Sequence, residues 1–175
     1  DRRRALRLDM SYQPELTTLG FVLHPDGEQV LMVHRVARAD DEQLGKWNGL
    51  GGKVEADEDI WTGMARELRE EANIEVRSMR LRGTVSWPGF HADGRDAFAF
   101  IFVIDDWAGQ LPQRNVEGNL AWQRIDQLSQ LPMWPGDRYF LPHVFDPDVT
   151  SFHVVIPYLD GEPQGCSGSV QRAAE

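Results

Sequence analysis

The sequence has little cysteine and no long apolar run. Cys166 is the single cysteine among 175 residues, which excludes an internal disulfide. Low cysteine usage is typical of reducing compartments, so we expect a cytoplasmic protein. No apolar segment approaches the ~20 residues that a membrane-spanning helix needs, and no apolar signal segment follows the basic N-terminus. We therefore expect a protein without a membrane partner.

Positive charge is also scarce. The chain has 18 Lys and Arg against 28 Asp and Glu, a formal net charge of −10. Binding to a nucleic acid polymer depends on an array of Lys and Arg contacts, so we expect no such partner. A small phosphate ester could still bind if cations reversed the local field. The only two lysines, Lys46 and Lys53, lie close together, which marks this stretch as a candidate for a special role.

Length and composition fit one folded domain, because a chain of this size can bury roughly 70% of its unfolded surface. We expect a flexible leader over 1–13, a domain over 14–161 and a disordered tail over 162–175, which is rich in Gly, Ser and Gln. Hydrophobic patterning predicts helices over 58–72, 125–131 and about 137–145, and strands over 16–24, 29–35, 79–87, 97–105, 119–124 and 151–159. This order favours an α/β (α+β) fold with a central mixed sheet between helices.

The helix predicted over 58–72 carries both an apolar and an acidic side. Its apolar residues recur at spacings of three and four, at Trp61, Met64, Ala65, Leu68 and Ala72. Glu67, Glu70 and Glu71 share an adjacent side. Two interpretations stay open: a solvated acidic face with ion pairs, or oxygen ligands for Mg²⁺ or Mn²⁺.

The segment from Gly51 to Ile74 resembles the Nudix box, G-x5-E-x7-R-E-U-x-E-E-x-G-U, in which U is a bulky aliphatic residue. The matching residues are Gly52, Glu58, Arg66, Glu67, Leu68, Glu70, Glu71 and Ile74. Asn73 replaces the second glycine, and Asn tolerates the left-handed conformation that a helix C-terminus favours. The resemblance implies the Nudix fold and hydrolysis of a diphosphate linked to another group.

The resemblance also implies a metal site and a phosphate site. The metal, Mg²⁺ with Mn²⁺ as a substitute, would be held by Glu67, Glu70, Glu71 and the carbonyl of Gly51. Glu117, within NVEGNLAW, resembles a further glutamate that binds metal or acts as a general base, although a solvated loop side chain is the alternative. Glu58 would be structural, and Arg66 would orient the carboxylates. Lys53 would contact phosphate or brace the loop, and Arg35 would bind phosphate, with a solvated strand-end side chain as the alternative.

Three further stretches, GKWNGLGGKVE, NVEGNLAW and MWPGDRYFLP, resemble the MutT-type 8-oxo-dGTP diphosphatase group of this family. That resemblance implies that Asn48 contacts a purine, Trp134 stacks on it and Asp137 forms hydrogen bonds with it. Gly136 replaces a neighbouring acidic residue of the pattern, which leaves preference for the oxidised base open. Trp134 as an ordinary core residue is the alternative.

Together these resemblances imply a Mg²⁺-dependent nucleoside triphosphate pyrophosphohydrolase. The substrate would be 8-oxo-dGTP or a related purine nucleotide, cleaved to a monophosphate and pyrophosphate. Pro88 resembles a proline found downstream of the box in ADP-ribose pyrophosphatases, so an ADP-ribose or other nucleoside-diphosphate substrate is one alternative. A non-catalytic nucleotide-binding module is another, which the intact acidic triplet argues against.

Overall fold

The computed structural model describes residues 11–174, which form strands with few helices. The strands are β1 (Glu15–Leu23), β2 (Gln29–Arg35), β3 (Trp47–Asn48), β4 (Glu75–Trp87), β5 (Ala97–Ala108), β6 (Gly118–Arg124), β7 (Val149–Val155), β8 (Tyr158–Leu159), β9 (Glu162–Pro163) and β10 (Ser167–Arg172). The α-helices are α1 (Ile60–Ala72) and α2 (Leu141–Phe145), and 3₁₀ helices cover Ile125–Gln130 and Pro135–Tyr139. Over this described range, every helix is too short or too polar to cross a membrane.

Eight of the strands form one mixed sheet. Its order is β10-β7-β4-β5-β1-β2-β3, and β6 also pairs with β2. β1 runs parallel to β5, and β4 runs parallel to β7, while the other pairs are antiparallel. β8 and β9 form a separate two-stranded pair. β1 and β5 therefore lie in the interior of the sheet.

Helices cover both faces of this sheet. On one face, Met64 and Leu68 of α1 pack in a buried cluster with Phe102 of β5. On the other face, Phe140 and Val144 around α2 join a second buried cluster with strand residues. Burial of this apolar surface is the main stabilising contribution. The predicted α/β class, with a mixed sheet between helices, is confirmed.

Helix α1 begins at a capping side chain. Asp59 accepts hydrogen bonds from the backbone N–H groups of Trp61 and Thr62, at 2.8 and 3.0 Å. The helix therefore starts two residues later than predicted and leaves Glu58 outside it. Trp61, predicted to face the core, is 43% exposed, although its ring contacts the Phe102 ring at 5.1 Å in a T-shaped arrangement. The apolar side of the first helical turn is therefore only partly covered.

The C-terminal region differs from the predicted disordered tail. Ser167–Arg172 form β10, which pairs antiparallel with β7 at the edge of the sheet. β10 is held at this edge by backbone hydrogen bonds, and Val170 packs against the core. The sequence of β10 therefore shows only weak alternation of apolar and polar residues. The predicted strand over 151–159 is divided into β7 and β8 around Pro157, which has no N–H to donate.

Most of the predicted leader over 1–13 lies outside the described residues. At its described end, the hydroxyl groups of Tyr12 and Ser86 share a hydrogen bond of 2.6 Å. This contact attaches the start of the described chain to the end of β4.

The end of α1 gives a test of the substituted box position. Asn73 is left-handed, at φ 53°, and its side-chain amide donates to the carbonyl of Gln110 at 3.1 Å. We expect Asn73→Ala to lower the free energy of unfolding by ~1–2 kcal/mol, because a Cβ disfavours this conformation. Asn73→Gly should cost less, since glycine adopts the conformation freely. Denaturant unfolding of both variants measures this; an alanine variant as stable as the glycine variant would contradict it.

Candidate active site

A glycine pair brings a loop against the start of β1. The amide of Thr18 donates to the carbonyl of Gly52 at 2.8 Å, and Gly20 and Leu50 exchange backbone hydrogen bonds. A Cβ on Gly51 would collide with the carbonyl of Thr18, and Gly51 has a φ of +152°. Only glycine therefore fits at position 51, and the loop backbone lies directly beside the strand.

The second glycine makes room for a carboxylate of α1. A Cβ on Gly52 would lie 2.5 Å from Oε1 of Glu67, so the carboxylate occupies the volume that a side chain would fill. The backbone N–H of Gly51 also lies near the carboxylate of Glu71, where it opposes the rise in the pKa of that group. The two glycines thus place the loop backbone against two carboxylates of the helix.

Arg66 organises the acidic side of α1. Its Nε and Nη2 donate to the two oxygens of Glu58, at 2.9 and 2.7 Å, and Nη2 also donates to the carbonyl of Lys53. Its Nη1 donates to Glu67 at 3.0 Å and to Glu70 at 3.3 Å. These bonds lower the pKa of Glu58 to about 2. One guanidinium therefore joins the loop, the segment before the helix and two box carboxylates.

Glu71 and Glu117 are partly buried carboxylates of this region. Desolvation, together with the charges of Glu117 and Glu67, holds the pKa of Glu71 well above its usual range. Desolvation also raises the pKa of Glu117, although Arg35 opposes the shift. Nearby like charges disfavour ionisation in the same way as burial. Ionisation of both carboxyls together is therefore unfavourable unless a strong cationic partner lies beside them.

Arg35 provides part of that partner. Its Nη1 donates to the carboxylate of Glu117, and its Nε donates to Asp41 at 2.7 Å. The turn that presents Glu117 is closed by Asn115, whose Oδ1 accepts from the amides of Glu117 and Gly118. Arg35, expected to bind phosphate, instead lies between two carboxylates in this structure.

The carboxylates of this region are candidate ligands for a divalent cation. Within residues 11–174, no group of three or more His, Cys, Asp or Glu side chains has the arrangement of a formed metal site. Arg66 pairs with Glu67 and Glu70, and Arg35 pairs with Glu117, so these three carboxylates already have guanidinium partners. Oε2 of Glu71 is nevertheless buried and lacks a hydrogen-bond partner among the described atoms. Hard oxygen donors and an unpaired buried carboxylate oxygen fit Mg²⁺ or Mn²⁺ chemically.

Lys53 lies at the rim of the site rather than inside it. Its side chain is 72% exposed, and its Nζ is 3.1 Å from Oε2 of Glu15. Glu15 also pairs with Arg95 at 3.3 Å. The structure therefore places Lys53 beside the glycine loop but pairs it with a strand residue that the sequence did not indicate.

The three residues expected to bind a base occupy two neighbouring segments. The amide of Trp47, next to Asn48, donates to the carbonyl of Pro132 at 2.7 Å, two residues before Trp134. The side-chain Nδ2 of Asn48 and the indole Nε1 of Trp134 are both buried without a hydrogen-bond partner in the described part of the chain. Burial raises the pKa of Asp137 to about 7. These unpaired donors and this carboxyl are typical of groups that a ligand satisfies.

Trp134 separates two cavities. One, of about 700 Å³, is lined by Trp134, Asp137 and Met133 among others. The second, of about 840 Å³, is lined by Trp134, Phe90 and Tyr158 among others. The ring of Phe90 lies 4.7 Å from the Trp134 ring at a tilt of 58°, and Tyr158 approaches perpendicularly at 5.9 Å. Trp134 is therefore neither fully core nor fully exposed.

Tyr158 also explains the glycine before Asp137. Its hydroxyl accepts a hydrogen bond of 3.0 Å from the amide of Gly136. A Cβ on Gly136 would collide with that hydroxyl. An acidic side chain at this position would displace Tyr158, so the departure from the expected pattern is coupled to the aromatic residue opposite.

Several residues that lie around the site were not predicted from the sequence. Asp41 pairs with Arg35, Glu15 pairs with Lys53, and Trp87 packs against Phe90 at 5.6 Å. The aromatic run around Pro88 was the available signal for the last pair. Asp41 and Glu15 gave no signal, because single acidic residues in a loop and at a strand start are common.

Comparison with known proteins identifies the class. A model of the NUDIX domain matches residues 14–144, so the chain belongs to the Nudix hydrolase family, whose members act on phosphoanhydride bonds and generally use divalent metals such as Mg²⁺. The chain is 34% identical over 127 residues to the oxidized purine nucleoside triphosphate hydrolase of Mus musculus, covering 73% of this chain and 77% of that protein.

Two bacterial relatives support the same assignment. The Nudix hydrolase YvcI of Bacillus subtilis is 32% identical over 135 residues, which is 75% of this chain and 79% of that protein. The crystal structure of the mutator MutT protein from Bacillus halodurans superimposes with a TM-score of 0.74 at 29% identity, covering 87% of this chain and 96% of that one. The predicted family and its MutT-type neighbours are therefore confirmed.

The buried carboxylate of Glu71 gives a direct test of the cation site. Its raised pKa means that the folded protein retains a proton that the unfolded chain releases above about pH 4.5. The free energy of unfolding therefore falls as the pH rises toward the raised pKa. We expect Glu71→Gln to be more stable than the wild type at pH 7 in chelator, by ~1 kcal/mol or more. Thermal unfolding measures the difference.

The same variant should lose the response to a cation. Mg²⁺ or Mn²⁺ should raise the Tm of the wild type, because an ion that binds only the folded state stabilises it. The Tm of Glu71→Gln should change little. Glu75→Gln, at the exposed start of β4, is the control and should respond like the wild type. An equal rise in the wild type and Glu71→Gln would show that Glu71 does not hold the ion.

Proposed function

We propose that this chain is a Mg²⁺-dependent nucleoside triphosphate pyrophosphohydrolase that acts on a purine nucleotide, with 8-oxo-dGTP as the leading candidate. The main support is the unpaired, buried carboxylate oxygen of Glu71 beside the glycine loop. The chain also belongs to the Nudix family, whose members act on phosphoanhydride bonds. The products would be the nucleoside monophosphate and pyrophosphate.

The proposed metal ligands are Glu67, Glu70, Glu71, Glu117 and the carbonyl of Gly51. When bound, the cation would neutralise phosphate oxygens and lower the pKa of an attacking water. Arg66 positions Glu67 and Glu70 through the hydrogen bonds described above. Glu117 is our candidate for accepting the proton of water, because burial raises its pKa and a higher pKa makes a stronger base.

Two cationic residues would contact phosphate. Arg35 lies against Glu117, so its guanidinium is close to the proposed reacting centre. Lys53 is exposed at the rim and could exchange Glu15 for a phosphate oxygen. Arg and Lys both bind phosphate, Arg through a planar fork and Lys as a point charge. We therefore assign Arg35 to the inner phosphates and Lys53 to the outer edge.

The purine would be held by Asn48, Trp134 and Asp137. The unpaired amide of Asn48 can donate to a base acceptor, and the partly buried indole of Trp134 offers a stacking surface. A pKa of about 7 leaves a substantial fraction of Asp137 protonated at neutral pH, so its carboxyl can both donate and accept. The mouse relative named as an oxidized purine nucleoside triphosphate hydrolase supports this substrate class.

The function is tested with a substrate panel. Hydrolysis of 8-oxo-dGTP, dGTP, dATP and ADP-ribose would be measured with Mg²⁺ and with chelator, and compared by kcat/KM. We expect Mg²⁺-dependent release of pyrophosphate from purine triphosphates, with a loss of kcat of orders of magnitude in Glu70→Gln, because a bound cation would lose a ligand. Circular dichroism should show that this variant stays folded, since Glu70 is 60% exposed.

Other outcomes of the panel identify the alternatives. A strong preference for ADP-ribose would replace the triphosphate assignment with a nucleoside-diphosphate substrate. Absence of hydrolysis with nucleotide binding retained would favour a binding module.

Trp134 provides a separate test of the base contact. We expect Trp134→Ala to raise KM for the purine nucleotide about tenfold or more with a smaller change in kcat, since a stacked base contributes ~1–3 kcal/mol. Trp134→Phe should lie between the two, because it keeps an aromatic face. An unchanged KM in Trp134→Ala would contradict the stacking assignment.

A further inference from the structure

Lys46 covers the Trp134 ring in this structure. Its Nζ lies 4.3 Å from the ring centroid, in a cation–π arrangement. None of the ion pairs within residues 11–174 involves Lys46. The ammonium group therefore rests on the aromatic ring without a carboxylate partner in this part of the chain.

The backbone fixes the position of Lys46. Its amide donates to the carbonyl of Gln43, and its carbonyl accepts from the amide of Arg35, both at 2.9 Å. The next residue, Trp47, donates to Pro132 and stacks on His34 at 4.5 Å. The backbone of Lys46 is thus anchored beside Trp134, whereas its half-buried side chain has the ring contact and no hydrogen bond or ion pair within the described residues.

The energies favour displacement of the ammonium by a base. A cation–π contact at a partly exposed site is weaker than the stacking of a base on an indole ring. Phe90 and Tyr158 also contact the indole, but they are packed rings, while Lys46 is a flexible chain. A base that stacks on Trp134 can therefore displace the side chain of Lys46 more easily than it can displace the rings of Phe90 and Tyr158.

We propose that Lys46 is a specificity-determining residue of the base site. When the base displaces it from the indole, the anchored residue keeps its ammonium at the edge of that base. An ammonium group can only donate hydrogen bonds. Guanine and hypoxanthine present the acceptors O6 and N7, and 8-oxoguanine keeps the O6 acceptor although its N7 carries a hydrogen, whereas adenine has an amino donor in place of O6. Lys46 therefore favours 6-oxopurines over 6-aminopurines.

This inference rests on the proposed function only for the location of the base. Neither the metal ligands nor the bond that is cleaved enters the argument. A binding measurement with product monophosphates therefore tests Lys46 without requiring hydrolysis. It also separates this inference from the triphosphate assignment, which the substrate panel tests.

The experiment compares GMP, IMP and AMP binding by titration calorimetry in the wild type and in three variants. Lys46→Met keeps the length and apolar chain but removes the donor, and Lys46→Arg keeps a donor. Arg80→Met, on the exposed part of β4, removes one positive charge elsewhere. We expect Lys46→Met to weaken GMP and IMP about tenfold or more and AMP less than twofold. Lys46→Arg should recover most of the loss, and Arg80→Met should match the wild type.

Each other outcome overturns the inference. Equal weakening of all three nucleotides would show that Lys46 contacts the phosphate or ribose. Unchanged or tighter binding of GMP in Lys46→Met would show that Lys46 only covers the ring. Failure of the wild type to bind any of the three would remove the base site itself, while pyrophosphate release in the substrate panel would still support the triphosphate assignment.

Discussion

The bidentate contact between Arg66 and Glu58 is the interaction on which the candidate site depends. Both side chains are largely withdrawn from solvent, with exposed fractions of 23% and 7%. The same guanidinium reaches the carbonyl of Lys53 and two carboxylates of α1. Because the fork of Arg is rigid, satisfying Glu58 on one side fixes where the remaining donors point. The helix and the glycine loop are consequently held at one separation.

That separation explains why small residues line the loop and the facing helix. Gly52 leaves space for the carboxylate of Glu67, and Gly63 leaves space for Glu58, whose Oε1 would be 2.9 Å from a Cβ there. Carboxylates brought this close raise each other's pKa, as Glu71 illustrates. The proposed cation would relieve this repulsion, and the guanidinium groups of Arg66 and Arg35 relieve it in part here. The close carboxylates therefore destabilise the folded protein electrostatically, which is typical of functional sites.

The sequence predicted elements whose signals are local. The box predicted α1 and its left-handed end at Asn73, because capping and helical periodicity depend on neighbouring residues. The sequence did not predict β10, because the pairing of this strand with β7 uses backbone hydrogen bonds and requires little apolar pattern in its side chains. Nor did it predict that Trp61 would be exposed, since only tertiary packing decides how far a sheet extends over a helix.

The candidate site was predictable to a similar extent. Spacing grouped Glu67, Glu70 and Glu71 on one helix, but it gave no indication that Arg35 would join Glu117 to Asp41. Those contacts link three separate segments, and a single sequence contains no record of long-range proximity. Lys46 was marked only by the rarity of lysine, and its position on the indole required the structure.

The edge of β1 is shared between two neighbours. At Val22 and Leu23 it pairs with β2, while nearer its start it bonds to the glycine loop through Thr18 and Gly20. Its opposite edge is bonded to β5 along most of its length. The loop therefore takes its rigidity from an interior strand of the core instead of from its own short sequence. A mutation that loosens β1 would therefore let the proposed metal ligands shift in position while the protein is still folded.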